Sequence, residues 1–126
     1  MGKMPISKKS LLNMALSHTL PIYIDTYKLI LLVFEHTSNF GREYKYTLGQ
    51  DMKRDGINLV RSIYGANRSK EKRQYLEEFL DNFEILKLEI RLCKDLKLIS
   101  IKQLAEISKM LDIIGKQATA WKNSSI

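Results

Sequence analysis

The chain has 126 residues, 28% of them charged, with a formal net charge of +7 and an isoelectric point near 9.5. That length suits one domain with a proper core, and the charge directs it toward polyanions: nucleic acid first, an acidic protein or anionic membrane second. The one cysteine, Cys93, excludes an intrachain disulfide framework and fits a reducing cytoplasm.

Residues 1–19 read as a basic N-terminal arm. Lysines precede the short apolar run LLNMAL, but Asn13, Ser17 and His18 interrupt or follow it too closely for a secretion signal. The later run LILLVF, Leu29 to Phe34, is bracketed by Lys28 and Glu35 and falls short of the roughly 20 residues that span a bilayer. No membrane partner is expected. A four-helix region over 20–122 and a polar tail over 123–126 complete the division.

The first helix is predicted from Leu20 or Pro21, where proline suits the first turn, through YIDTYKLILLVFEHT. Ile22, Thr26, Leu29, Ile30 and Val33 share one face, and Tyr23, Tyr27, Leu31 and Phe34 make the remainder so apolar that this is expected to be the most enclosed helix. Ser38, Asn39 and Gly41 supply turn chemistry, with Asn and Gly suited to a left-handed helix end. The second helix is predicted over REYKYTLGQDMKRDGINLVRSIYGAN, with Tyr44, Leu48, Met52, Leu59 and Ile63 inward. Its internal Gly49 and Gly56 each cost roughly 1 kcal/mol of helix propensity, which points to close approach of another helix or to a weaker one. Ser69 is the expected N-cap of the third helix, with Glu71 in its first turn.

The stretch from Tyr75 to Lys97 organises the rest. Leu76, Phe79, Phe83, Leu86, Ile90 and Cys93 fall on one stripe at three-four spacing, as a bundle core requires. Ile85, Leu88, Leu92 and Leu96 form a second stripe well over 90° away, and Lys87, Arg91 and Lys94 run between the two on one surface line. The early outer face is acidic, with Glu77, Glu78, Asp81 and Glu84. A lone bundle buries one stripe and leaves much of the other wet, so Ile85, Leu88, Leu92 and Leu96 are the expected oligomer interface; packing on a neighbouring helix or the N-terminal segment is the other possibility. Ser100 and Gln103 then make a capping-box pair that opens the fourth helix, where Leu104, Ile107, Leu111, Ile114, Ala118 and Trp121 repeat the inward pattern. The expected fold is all-α: an antiparallel up-down-up-down four-helix bundle that is oligomeric.

No catalytic residue, metal site or cofactor is expected. His18 and His36 have Ala15 and Val33 three positions before them, not the glutamates of dimetal bundles. Asp51 and Asp55 lie one turn apart, but Lys53 and Arg54 flank them and a solvated face is the reading adopted. Phosphate loops, dinucleotide fingerprints and cysteine-histidine clusters do not occur. What remains is basic: Arg42 and Lys45; Lys53, Arg54 and Arg61; Arg68, Lys70, Lys72 and Arg73; the ridge Lys87, Arg91 and Lys94; and Lys97 and Lys102. Such residues predict sequence-tolerant, salt-sensitive binding of nucleic-acid phosphates, with the ridge as the principal site because symmetry would multiply it.

Several phrases together resemble the accessory variability determinant (Avd) proteins of diversity-generating retroelements. They are LPIYIDTYKLIL at Leu20 to Leu31, FGREYKYTLGQDM at Phe40 to Met52, IYGAN at Ile63 to Asn67, LEEFLDNFEILKLEIRLCKDLKLIS from Leu76, and IGKQATAW at Ile114 to Trp121. The resemblance implies a basic four-helix bundle that assembles as a homopentamer, binds DNA or RNA, and partners a reverse transcriptase during mutagenic copying of a template repeat. The family's basic run on the third helix would correspond to Lys87 and Arg91. Gly41 departs from the proline that such proteins often have after the phenylalanine, and the resemblance does not extend to the arm before Leu20. Ribosomal intervening-sequence proteins share the bundle and a similar opening of the second helix, so a ribosome-associated or RNA-binding bundle is the alternative; a helical protein-interaction module, whose charge serves solubility alone, is another.

Overall fold

The computed structural model describes residues 17–125, so the expected arm lies outside the described residues as far as residue 16, as does Ile126 at the end of the tail. A 3₁₀ turn at Ser17–Thr19 leads into α1 (Pro21–Thr37), a single-turn α2 (Arg42–Lys45), and three long helices: α3 (Leu48–Arg68), α4 (Lys72–Asp95) and α5 (Ile101–Ser124). The long helices α1, α3, α4 and α5 pack as an antiparallel four-helix bundle. Each of α1 and α4 packs against both α3 and α5, which puts α1 and α4 at diagonal corners.

The inward faces are those that helical periodicity selects. Leu29, Leu59, Ile63, Leu76, Phe79, Leu86 and Ile114 are completely buried, and all six residues of the first α4 stripe are in the core. Phe79 and Phe83 stack at 5.8 Å between ring centres. Gly56 lies against α1, where an added Cβ would come 3.3 Å from Ile30 Cγ1. That proximity is the close helix approach its position suggested.

Four local expectations are corrected. The first helix is not the most enclosed: Ile24, Tyr27, Leu31 and Phe34 make an exposed stripe on its outer side, with Leu31 52% accessible. The predicted second helix is broken at Tyr46 and Thr47, where the Thr47 hydroxyl donates to the Glu43 carbonyl at 2.9 Å and offers the backbone an alternative to continuing the helix. Neither Asn39 nor Gly41 is left-handed. Instead, Thr37 Oγ1 donates to the Val33 carbonyl and Ser38 Oγ to the Glu35 carbonyl, both at 2.7 Å, so hydroxyls satisfy the carbonyls that close α1. Glu71, not Ser69, is the N-cap of α4, and the Ser69 hydroxyl accepts the Glu71 N–H at 2.9 Å.

The α5 capping box forms as expected: Gln103 N–H donates to Ser100 Oγ at 3.1 Å, and Ser100 N–H to Gln103 Oε1 at 2.9 Å. The left-handed helix end occurs at α4. Lys97 has φ 60°, its N–H donates to the Lys94 carbonyl at 3.0 Å, and Leu98 N–H donates to the Cys93 carbonyl at 2.8 Å. Those two bonds are a Schellman closure with lysine where glycine is favoured. Replacing Lys97 with glycine therefore raises stability by about 1 kcal/mol, read as a higher denaturant midpoint at unchanged slope. An unchanged or lower midpoint would show that the lysine carries no backbone penalty there.

Candidate nucleic-acid interface

The ridge expected on α4 is a real surface feature. Lys87, Arg91 and Lys94 are all exposed and line one wall of a cleft of about 580 Å³, whose other wall is Leu104, Ser108 and Leu111 on α5. Helical spacing sets them on one line, and the packing of α5 beside α4 turns that line into a groove. Lys87 Nζ is 3.1 Å from Glu84 Oε2 and 5.7 Å from the Phe83 ring centre, so one of the three cations is already partly engaged. Such an exposed i,i+3 pair is weak enough to yield to a phosphate.

The basic residues of α2, α3 and the α3–α4 turn do not line that cleft. Arg42 and Lys45 sit on the short α2. Lys53 extends over the Phe34 ring at 5.5 Å, while Arg54 bridges Asp51 at 3.2 Å and Asp55 at 3.4 Å. Arg54, Arg61 and Arg68 recur every seven residues, which spaces them by about 10.5 Å along α3. Arg61 and Arg68 line a groove of about 560 Å³ together with Tyr64, Tyr75 and Asn82. Lys70 and Arg73 line a further cleft at the α3–α4 turn. Lys72 is occupied structurally: its ammonium donates to the Ala66 carbonyl at 2.8 Å and the Asn67 carbonyl at 3.3 Å, closing the end of α3.

The second α4 stripe is solvent-facing among the described residues. Ile85, Leu88, Leu92 and Leu96 are all exposed, with Leu88 53% accessible. With the α1 stripe of Ile24, Tyr27, Leu31 and Phe34 at the opposite corner, the bundle carries two outward apolar faces that point away from each other.

One buried feature went unread in the sequence. Asp55 on α3 and Glu89 on α4 are 8% and 7% exposed, respectively, and face each other across the seam between those helices. The solvated-face reading holds for Asp51 but is corrected for Asp55. Burial, then the Asp55 carboxyl as hydrogen-bond partner and neighbouring charge, push the Glu89 carboxyl up to about 8; Asp51 adds to the shift and Arg54 opposes it. Glu89 Oε1 has no hydrogen-bond partner among the described residues. Below its pKa the pair holds a proton and Glu89 is neutral. Glu89 occupies a position flanking the core stripe, where nothing in the spacing separates it from a solvated glutamate. Cys93, touching Met52 Sδ at 3.4 Å, is pushed up to about 11 by burial and by Glu89, so it is an inert packed thiol.

Among the described residues, no group of three or more His, Cys, Asp or Glu side chains could hold a metal ion. Nor is any described helix long and apolar enough to cross a membrane.

Fold and surfaces together define a small basic four-helix bundle with exposed apolar faces on two diagonal helices. The model of the bAvd-like family matches residues 22–125, and the chain belongs to that family. Comparison with curated proteins finds no match.

Proposed function

We propose that this protein is a non-enzymatic, cytoplasmic accessory factor of a diversity-generating retroelement. It assembles as a homopentamer, binds DNA or RNA through Lys87, Arg91 and Lys94, and holds the nucleic acid against a reverse transcriptase during mutagenic retrohoming. The observation that carries this reading is the exposure of Ile85, Leu88, Leu92 and Leu96 beside that basic ridge, in a chain of the bAvd-like family.

The diagonal placement of the two apolar faces supports a ring. An isologous dimer uses one patch twice, whereas two different patches on opposite corners favour head-to-tail contacts that close when the rotation per subunit divides a circle. In such a ring the α4 stripe of one copy seats on the α1 stripe of the next, and every subunit presents one copy of the ridge. A weak anion site repeated by symmetry gains affinity without any new contact.

Light scattering on a sizing column is expected to give five times 14.7 kDa. Replacing Lys87, Arg91 and Lys94 with glutamate leaves that mass unchanged and abolishes nucleic-acid binding at moderate salt. For each duplex phosphate that is no longer neutralised, the slope of log affinity against log salt falls by roughly 0.9. Retained binding with the original slope would remove the ridge from the interface.

A further inference from the structure

We infer that the cleft at the α3–α4 turn is a stacking subsite for single-stranded nucleic acid, in which a base lies on the Trp121 indole while its flanking phosphates contact Lys70 and Arg73. The inference rests on the nucleic-acid reading above and adds a place and a strand type to it.

The cleft has a volume of about 730 Å³ and is lined by Lys70, Glu71, Lys72, Arg73, Trp121 and the serines that follow the indole. That volume lies within the roughly 300–1,000 Å³ typical of ligand clefts. Three cations against one carboxylate leave the lining positive. Among the described residues Lys70 and Arg73 pair with no carboxylate and are exposed, whereas Lys72 is committed to the Ala66 and Asn67 carbonyls. The two exposed cations therefore supply the phosphate contacts, and Lys72 fixes the wall between them.

Trp121 is the chain's single tryptophan. On one side it borders an apolar cleft with Leu20, Pro21, Ile22, Gln117 and Ala120, and it packs against the core; on the other it enters the basic cleft. Its carbonyl accepts the Ser124 hydroxyl at 2.9 Å and the Ser125 hydroxyl at 2.8 Å, which holds the last turn of α5 in place. A half-buried indole beside exposed cations is the combination that single-strand binders use: every base offers a π face, and the cations follow the backbone. A duplex keeps its bases stacked on each other and cannot supply one to the indole.

Because there is one tryptophan, its emission reports only the surroundings of Trp121, and the K70E/R73E variant ties a change in it to the basic cleft rather than to the apolar one on its other side. The full chain is titrated with oligo(dA), oligo(rA) and a blunt duplex of equal length, while anisotropy of a labelled strand measures binding independently. Single strands are expected to quench Trp121 emission, and the duplex to bind without quenching; whichever of the two single strands binds tighter identifies the preferred backbone. The double variant K70E/R73E, altered only at exposed positions, keeps its helicity and mass but binds single strands roughly tenfold more weakly. Trp121→Phe retains most of the affinity and Trp121→Leu loses roughly tenfold. If Trp121→Leu loses helicity, the K70E/R73E result and the quenching decide. Single strands that bind with unchanged emission, together with wild-type affinity in K70E/R73E, would overturn the subsite and leave the ridge standing. Absence of any strand binding at low salt would instead overturn the nucleic-acid reading itself.

Discussion

Protein carrying Leu88→Lys and Leu92→Lys is expected to run as a monomer of 14.7 kDa with its helical signal intact. Both side chains lie on the outer face of α4, so neither substitution opens a cavity in the core. In a ring each would place an ammonium against the apolar α1 face of the next subunit. Burying a leucine fully is worth about 1.5–3 kcal/mol, and covering a half-exposed one yields part of that. Two missing leucines and two desolvated charges at every interface raise the dissociation constant by more than about a hundredfold. If the variant unfolds, the second stripe is part of the core and the case for assembly fails.

A head-to-tail ring also differs measurably from a dimer that uses one face twice. Leu31→Lys with Phe34→Lys on α1 is expected to give a second monomeric variant. Mixed with the α4 variant, it restores one intact junction, because one chain retains its α4 stripe and the other its α1 stripe. The mixture therefore yields a particle of twice 14.7 kDa and no larger ring. An isologous interface uses a single face, so one of the two variants would leave that face intact and would still dimerise by itself, without mixing.

How far the sequence could be read depended on whether a feature was periodic. The α4 core stripe, the exposed Ile85–Leu88–Leu92–Leu96 line and the Ser100–Gln103 capping box were all legible, because helical spacing and cap chemistry act locally. The α1 stripe shows in the sequence as surplus apolar residues, which read there as enclosure. Periodicity counts apolar faces without saying how many neighbours a helix has, and α1 packs against two long helices rather than being surrounded. The sequence hides the Thr47 break because the surrounding pattern continues across it, while a single hydroxyl bond to Glu43 redirects the chain. In the sequence Trp121 reads as core alone, since nothing local places it beside Lys70 and Arg73 from another helix end. The Asp55–Glu89 pair was illegible for a similar reason: its members are 34 positions apart, and only the α3–α4 packing brings two carboxyls into one dry seam.

That pair is expected to make the stability of the bundle fall as the solution becomes more alkaline. Glu89 has a folded pKa of about 8 against an ordinary value of 4.5, so between those limits the folded chain holds a proton that the unfolded chain has released. Stability is fully present below the unfolded value, declines by about 1.4 kcal/mol per pH unit as pH rises through the window, and levels off above the folded value. The groups facing Glu89 reinforce that sign: Asp55 and Asp51 repel its charged form, and Arg54, already bound to both aspartates, offsets them only in part. Glu89→Gln keeps the size and a hydrogen-bonding amide but has no proton to lose. Its denaturant midpoint is therefore expected to be nearly flat between about pH 5.5 and about pH 8.5, to lie near that of the wild type at the acidic end, and to exceed it clearly at the alkaline end. Midpoints of the two proteins that stay parallel across the window would mean that Glu89 is charged throughout. The seam would then have to hold two carboxylates with Arg54 as their nearby cation, an arrangement that buried charges with so little compensation do not tolerate.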